Sequence, residues 1–296
     1  MIGIEREKVG RLPVWAWAVL SGFAIWLLYV FTLGPSTAFW DTSEYIATAH
    51  ILGLPHPPGN PFFVVFGKGW LLLTGWTGLE IATRINLLSA TVSAAAAVFW
   101  FLAVMRIWAH FTENRAVALM VAFCAVLVSG TAYTVWAQSN VNEKVYTVSL
   151  MFVAAISYLA MLWEDHSDTY RGDRLMVLIA FLLGLGSTNH QMSLLPLPAL
   201  AVFVFWHNHG RLLNWKSVAI VAGGLVVGVA LGAALQGLGW PLPRLWLYTG
   251  VLAVVAVVLS PRVAVAGTVF LLIGFSVQLL FVPIRSAQNP IIDEAD

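Results

Sequence analysis

Asp41 and Glu44 stand three residues apart in Phe39-Trp40-Asp41-Thr42-Ser43-Glu44-Tyr45, a spacing that puts both carboxylates on one face of a short helix. Such a pair can take a proton from a hydroxyl or, with a histidine, hold one divalent cation. His56 follows in His56-Pro57-Pro58-Gly59-Asn60-Pro61, where prolines and a glycine impose a rigid, non-helical turn. Arg84 and Arg285 carry guanidinium forks that match phosphate oxygens. Glu143, in the polar stretch Trp136 to Tyr146, and the Asn189-His190 pair add groups that bind hydroxyls.

Each of these residues also has a structural use. Asp41 as a helix cap with Glu44 at the third helical position would make a capping box, and a capping carboxylate can still present an oxygen outward. His56 could be a packed or solvated histidine in a turn that redirects the chain. Arg84 has the place of an interfacial anchor whose head group snorkels. The stretch around Glu143 has the composition of a solvated loop.

The elements that position these residues follow from composition. With 60% hydrophobic and 10% charged residues and a mean hydropathy of +0.85 over 296 residues, the chain reads as an all-α, polytopic membrane protein. A bilayer core needs about 20 apolar residues per helix. Runs beginning near Pro13, Arg84, Ala116, Val145, Leu175, Gln191, Ser217, Arg244 and Val263 meet that, so about nine spans are expected. The first run is too long and Trp-rich for a cleaved signal and reads as an anchor. Cys124 lies within an apolar run, and a single cysteine forms no intrachain disulfide. A net charge of +1 argues against a nucleic-acid partner.

Orientation comes from the basic residues, which are retained on the cytoplasmic side. Counting gaps from a cytoplasmic N-terminus puts Arg6, Lys8, Arg11, Arg106, Arg115, Arg171, Arg174, Arg211, Lys216 and Arg262 inside. Lys68, Arg84, Lys144, Arg244 and Arg285 fall outside. Reading Pro61 to Thr74 as a span would invert that pattern, and the segment is short and carries Lys68. It is expected instead to lie on the outer face of the membrane. The first outer loop then runs from about Gly34 to Thr83, and all the residues named above share the outer side.

Taken together, D-x-x-E, L-G-L-P-H-P-P-G-N-P, R-I-N-L-L-S-A, W-A-Q-S-N-V-N-E-K-V-Y, G-L-G-S-T-N-H-Q and R-S-A-Q-N-P resemble the membrane domain of the plexin-type protein O-mannosyltransferases and their bacterial relatives. The likeness runs from about Phe39 to Pro290. It implies the GT-C architecture, in which a multi-span enzyme takes a sugar from a polyprenyl-phosphate donor and transfers it to a protein hydroxyl. It also puts Asp41 and Glu44 in the place of that architecture's acidic pair. Two features depart from the pattern. Family members usually continue into further spans and a large soluble region, so 1–290 reads as the membrane domain and 291–296 as the start of a truncated tail. Asn60 stands where an aromatic commonly follows the glycine.

The expectation is therefore a glycosyltransferase of a bacterial inner membrane, working on the outer, periplasmic face. Asp41 is expected as base, with Glu44 orienting it or helping to hold a divalent metal, whose involvement stays open. His56, Arg84 and Arg285 are expected at the donor phosphate. Glu143, Asn189 and His190 are expected at the sugar or acceptor. A transporter of lipid-linked substrates and a membrane scaffold are the competing classes. The first would place ionisable groups at the midplane. Gln278 is the clearest mid-span polar residue of this sequence.

Overall fold

In a computed structural model the described residues are 8–9, 12–140, 144–207 and 261–294. A two-residue ladder, β1 (Lys8–Val9) with β2 (Leu12–Pro13), leads into α1 (Val14–Phe31). Two shorter helices follow, α2 (Thr42–Ile51) and α3 (Pro61–Leu73), and then α4 (Ile81–Trp108). Beyond it come α5 (Arg115–Thr131), α6 (Tyr133–Asn140), α7 (Lys144–Glu164), α8 (Tyr170–Ser187), α9 (Leu197–His207) and α10 (Pro261–Ser286). Local chemistry sets several starts. Pro61 opens α3 where no amide is needed, and the Asn114 side chain accepts from the amides of Ala116 and Val117 to cap α5.

Helix α4 is the pillar. At 28 residues it is about 42 Å long, more than a bilayer core of about 30 Å requires. One side of it joins α1 and α5 through Ala90, Ala97 and Phe101, while the other joins α2, α3, α7 and α8 through Ile85, Leu88 and Val92. Small residues let α8 and α10 cross with backbones touching. A Cβ on Gly184 would lie 2.1 Å from the Leu271 carbonyl oxygen, and one on Gly274 would lie 2.5 Å from that of Phe181. At the end of the bundle away from Asp41, Arg106 holds Asp165 at 2.7 Å and the Met161 carbonyl at 2.8 Å. His207 meets Glu164 there at 3.0 Å, so α9 runs towards that end.

The chain is an integral membrane protein. Four described helices are long and apolar enough to cross a membrane, five if α5 and α6 count as one span bent by 65°. The bend has a visible partner. The Tyr29 hydroxyl donates at 2.8 Å to the Gly130 carbonyl, which a continuing helix would have used itself. Two sequence expectations change. The stretch expected as a span from Gln191 opens as a 3-10 turn, Gln191–Leu194, before α9, which is described to His207, because Pro196 and Pro198 lack the amides a continuous helix needs. The polar stretch from Trp136, expected as a loop, is helical to Asn140 as part of α6. The spans expected near Ser217 and Arg244 lie outside the described residues. Helix α3, at 13 residues, is about 20 Å long and too short to cross alone.

Candidate active site

Trp40 sits in the left-handed region at φ 66°, and this turn delivers Asp41 to the start of α2. Asp41 occupies the cap position, but its side chain makes no cap bond. Glu44 does not reach back to close a capping box either. Its Oε1 accepts from the main-chain N–H of His56 at 2.6 Å, and its Oε2 lies 2.8 Å from His56 Nδ1. Ligand atoms of Asp41, Glu44 and His56 all lie within 4.8 Å of one another, and all three residues are part-exposed. Three residues expected to do chemistry therefore meet at one point, with the Asp41 carboxylate uncommitted to the helix.

Beneath them runs an ordered chain of hydrogen bonds. Asn60, left-handed at φ 36° and 1% exposed, donates through Nδ2 to the main-chain oxygen of Asn189. A main-chain oxygen can only accept, which fixes the amide and leaves Asn60 Oδ1 to accept from the Tyr45 hydroxyl at 3.2 Å. The Tyr45 oxygen then faces His56 Nε2 at 3.4 Å with its proton already given away. The Glu44 carboxylate and the Tyr45 hydroxyl thus face the two ring nitrogens of His56 from opposite sides and fix the orientation of the ring. Asn189, fully buried, continues the chain by donating to the Val145 carbonyl at 2.8 Å and to Ser149 Oγ at 2.9 Å.

The remaining expected residues lie around this core. His190 Nδ1 accepts from the Met192 amide at 3.1 Å, and its ring stands edge-on to Tyr146 with centroids 5.2 Å apart. Arg84 donates to the Leu71 carbonyl at 2.9 Å, tying α4 to the end of α3. Arg285 reaches the last turn of α2, donating from Nε to the Leu52 carbonyl and from a terminal nitrogen to that of Ile51 at 3.1 Å. Glu143 lies outside the described residues. The sequence reading assigned nothing to Tyr45 and Asn60, and for Asn60 the one available signal was an asparagine in a Gly-Asn-Pro turn. Gln278, noted only as polar, donates to the Pro58 carbonyl at 2.7 Å and braces the His56 turn from α10.

A family described as the protein O-mannosyl-transferase TMEM260 N-terminal domain matches residues 41–213, more than half of the chain and starting on Asp41 itself. The chain belongs to this family. It is similar to a Dictyostelium discoideum protein named protein O-mannosyl-transferase tmem260, at 26% identity over 209 residues, covering 67% of this chain and 24% of that protein. The mouse protein O-mannosyl-transferase TMEM260 is 25% identical over 193 residues, covering 65% of this chain and 25% of its own length. The chain thus spans about a quarter of the length of these curated relatives. No solved structure matches.

Proposed function

We propose that this membrane domain carries the donor-binding and catalytic groups of a glycosyltransferase that moves a hexose, mannose by the names of its relatives, from a polyprenyl-phosphate donor to a protein hydroxyl on the outer face. The meeting of Asp41, Glu44 and His56 carries this reading. Asp41 accepts the proton of the acceptor hydroxyl as the new C–O bond forms at the anomeric carbon. The bond from that carbon to the phosphate oxygen breaks, and the lipid phosphate leaves as a stable anion that needs no general acid. His56, oriented by Glu44 and Tyr45, donates a hydrogen bond to that anion, with positive charge when its ring is protonated.

Arg285 gives all three guanidinium nitrogens to the Leu52 and Ile51 carbonyls and Gln288, so we assign it to bracing α2. Arg84 gives one nitrogen to the Leu71 carbonyl, bracing α3, and keeps for the phosphate its Nε, which has no hydrogen-bond partner among the described residues. Asn189 and His190 flank the site from the end of α8 and, with Glu143, are assigned to the sugar or the acceptor. If a divalent cation serves here, Asp41, Glu44 and His56 would hold it, and its chemistry would be charge stabilisation on the phosphate. A transporter reading finds little to use at Gln278, which is tied to the Pro58 carbonyl.

The deciding experiment is mass spectrometry of envelope proteins from cells with the gene, without it, and with the gene carrying Asp41→Asn. Hexose on serine or threonine of specific proteins should vanish in the last two. An unchanged glycosylation profile in the deletion would sink the proposal.

A further inference from the structure

Lys144, the first described residue of α7, has its side chain fully buried, and its ammonium has no hydrogen-bond partner among the described residues. A buried ammonium without a counter-charge is strongly unfavourable. An anion brought to it would supply the missing charge and accept its hydrogen bonds.

Unpartnered acceptors lie on the neighbouring elements. Asn140 Oδ1 and Gln138 Oε1 on α6, and Asn189 Oδ1 after α8, are buried without a hydrogen-bond partner among the described residues. The other half of each asparagine is anchored, Asn140 Nδ2 to Thr32 Oγ1 at 3.0 Å and Asn189 Nδ2 to the carbonyl of Val145, the residue after Lys144. These oxygens are fixed in place and accept only. They do not pair with the ammonium. A molecule that is anionic at one point and bears hydroxyls at others would satisfy both sets of groups.

We propose that Lys144 is the anion-binding residue for a phosphoryl group carrying a hydroxyl-rich substituent, with Asn140 and Asn189 accepting from the hydroxyls. This rests on the transferase reading for its place in the reaction. It adds to His56 and Arg84 a further, buried cationic group for the donor phosphate. The chain His56, Tyr45, Asn60, Asn189 connects the site to the carboxylates, because Asn189 is bonded to the first turn of α7.

The test uses the full chain in phosphatidylcholine nanodiscs, titrated separately with undecaprenyl phosphate, mannose 1-phosphate and inorganic phosphate. Lys144→Met keeps the length and apolar stem of the side chain, and Lys144→Gln is the second variant should the first fail to fold. A ligating lysine predicts binding weakened about tenfold or more, with a melting temperature equal to or above that of the wild type, because an uncompensated charge has been removed. Lys144-dependent binding of mannose 1-phosphate tighter than that of inorganic phosphate supports the phosphate-sugar head group; Lys144-dependent binding of undecaprenyl phosphate alone would leave Asn140 and Asn189 without a role and overturn their part of the proposal. Binding of all three probes unchanged in both variants overturns the proposal. So does a fall in melting temperature shared by Lys144→Met and Glu143→Gln without any loss of binding, which would make the pair a structural ion pair. Lys144-dependent binding without Asp41-dependent transfer would fell the transferase reading and leave the site. Asp41-dependent transfer with an unchanged donor KM in Lys144→Met would do the reverse.

Discussion

Both carboxylate oxygens of Glu44 are taken by His56, one by its main-chain N–H at 2.6 Å and the other by Nδ1 at 2.8 Å. A capping box would have turned this side chain back towards residue 41. Facing forward instead, it fixes a histidine from the proline turn beside the Asp41 carboxylate. The two acidic residues are thereby placed differently on the same short helix: Glu44 holds His56, and the Asp41 side chain makes no cap bond.

Asp41→Asn should therefore leave the fold intact, since no cap bond is lost, with stability within about 0.5 kcal/mol of wild type. Transfer activity should fall by ~10² to 10⁴, the usual worth of a general base. Glu44→Gln should do something different. A glutamine can accept only one of the two His56 donors, so the turn loosens at a cost of about 1–3 kcal/mol, and activity falls with it. Thermal unfolding and an in vitro hexose-transfer assay on both variants separate the cases. Full activity in a folded Asp41→Asn protein would make the acidic pair structural.

The carboxylates and His56 were legible because D-x-x-E and H-P-P-G are local patterns whose spacing alone brings them near. The membrane class was legible from hydropathy, and α1, α4, α7 and α10 formed close to where apolar runs began. What the sequence hid was long-range pairing. Arg285 and Leu52 are 233 residues apart, and nothing local distinguishes an arginine that will clamp a helix end from one that will bind phosphate. Lys144 is hidden for a related reason: in the sequence its basic side chain fits a topology signal, and only packing reveals that it is buried without a hydrogen-bond partner among the described residues.

Asn60 combines a left-handed backbone with two side-chain bonds, and two substitutions separate them. Asn60→Gly keeps the backbone relaxed while removing both bonds, and leaving buried groups unmet should cost about 1–3 kcal/mol. Asn60→Ala removes the same bonds and adds left-handed strain of about 1 kcal/mol. Both should lower activity by freeing the Tyr45 hydroxyl from Asn60, which changes the hydrogen bond it offers His56 Nε2. The ring nitrogen shifts of His56 by NMR should then move. Unchanged shifts would show that Tyr45 does not govern His56.

Arg285→Lys retains the charge but loses the fork that holds the Leu52 and Ile51 carbonyls together. Melting should fall by the equivalent of about 1–2 kcal/mol. The rate should drop through misplacement of α2, while the KM for a polyprenyl-phosphate sugar stays near wild type. A raised donor KM in a protein of unaltered stability would instead make the guanidinium a phosphate ligand.

The proposed orientation rests on the alternation of basic residues between successive gaps in the sequence, and it can be tested by placing single cysteines at exposed positions of the two ends. Trp76 is 86% exposed in the turn after α3, and Gln288 is exposed just past α10; both lie towards the Asp41 end. Thr169, exposed in the α7–α8 connection, lies at the other end, beyond the Arg106–Asp165 pair. Cys124 is exposed on α5 and must first be changed to alanine so that it does not contribute. In intact cells an impermeant maleimide should label cysteines at 76 and 288 and spare one at 169, which should react only after the membrane is opened. Labelling at 169 alone would invert the protein, placing the Asp41, Glu44 and His56 cluster in the cytoplasm and ruling out transfer on the outer face.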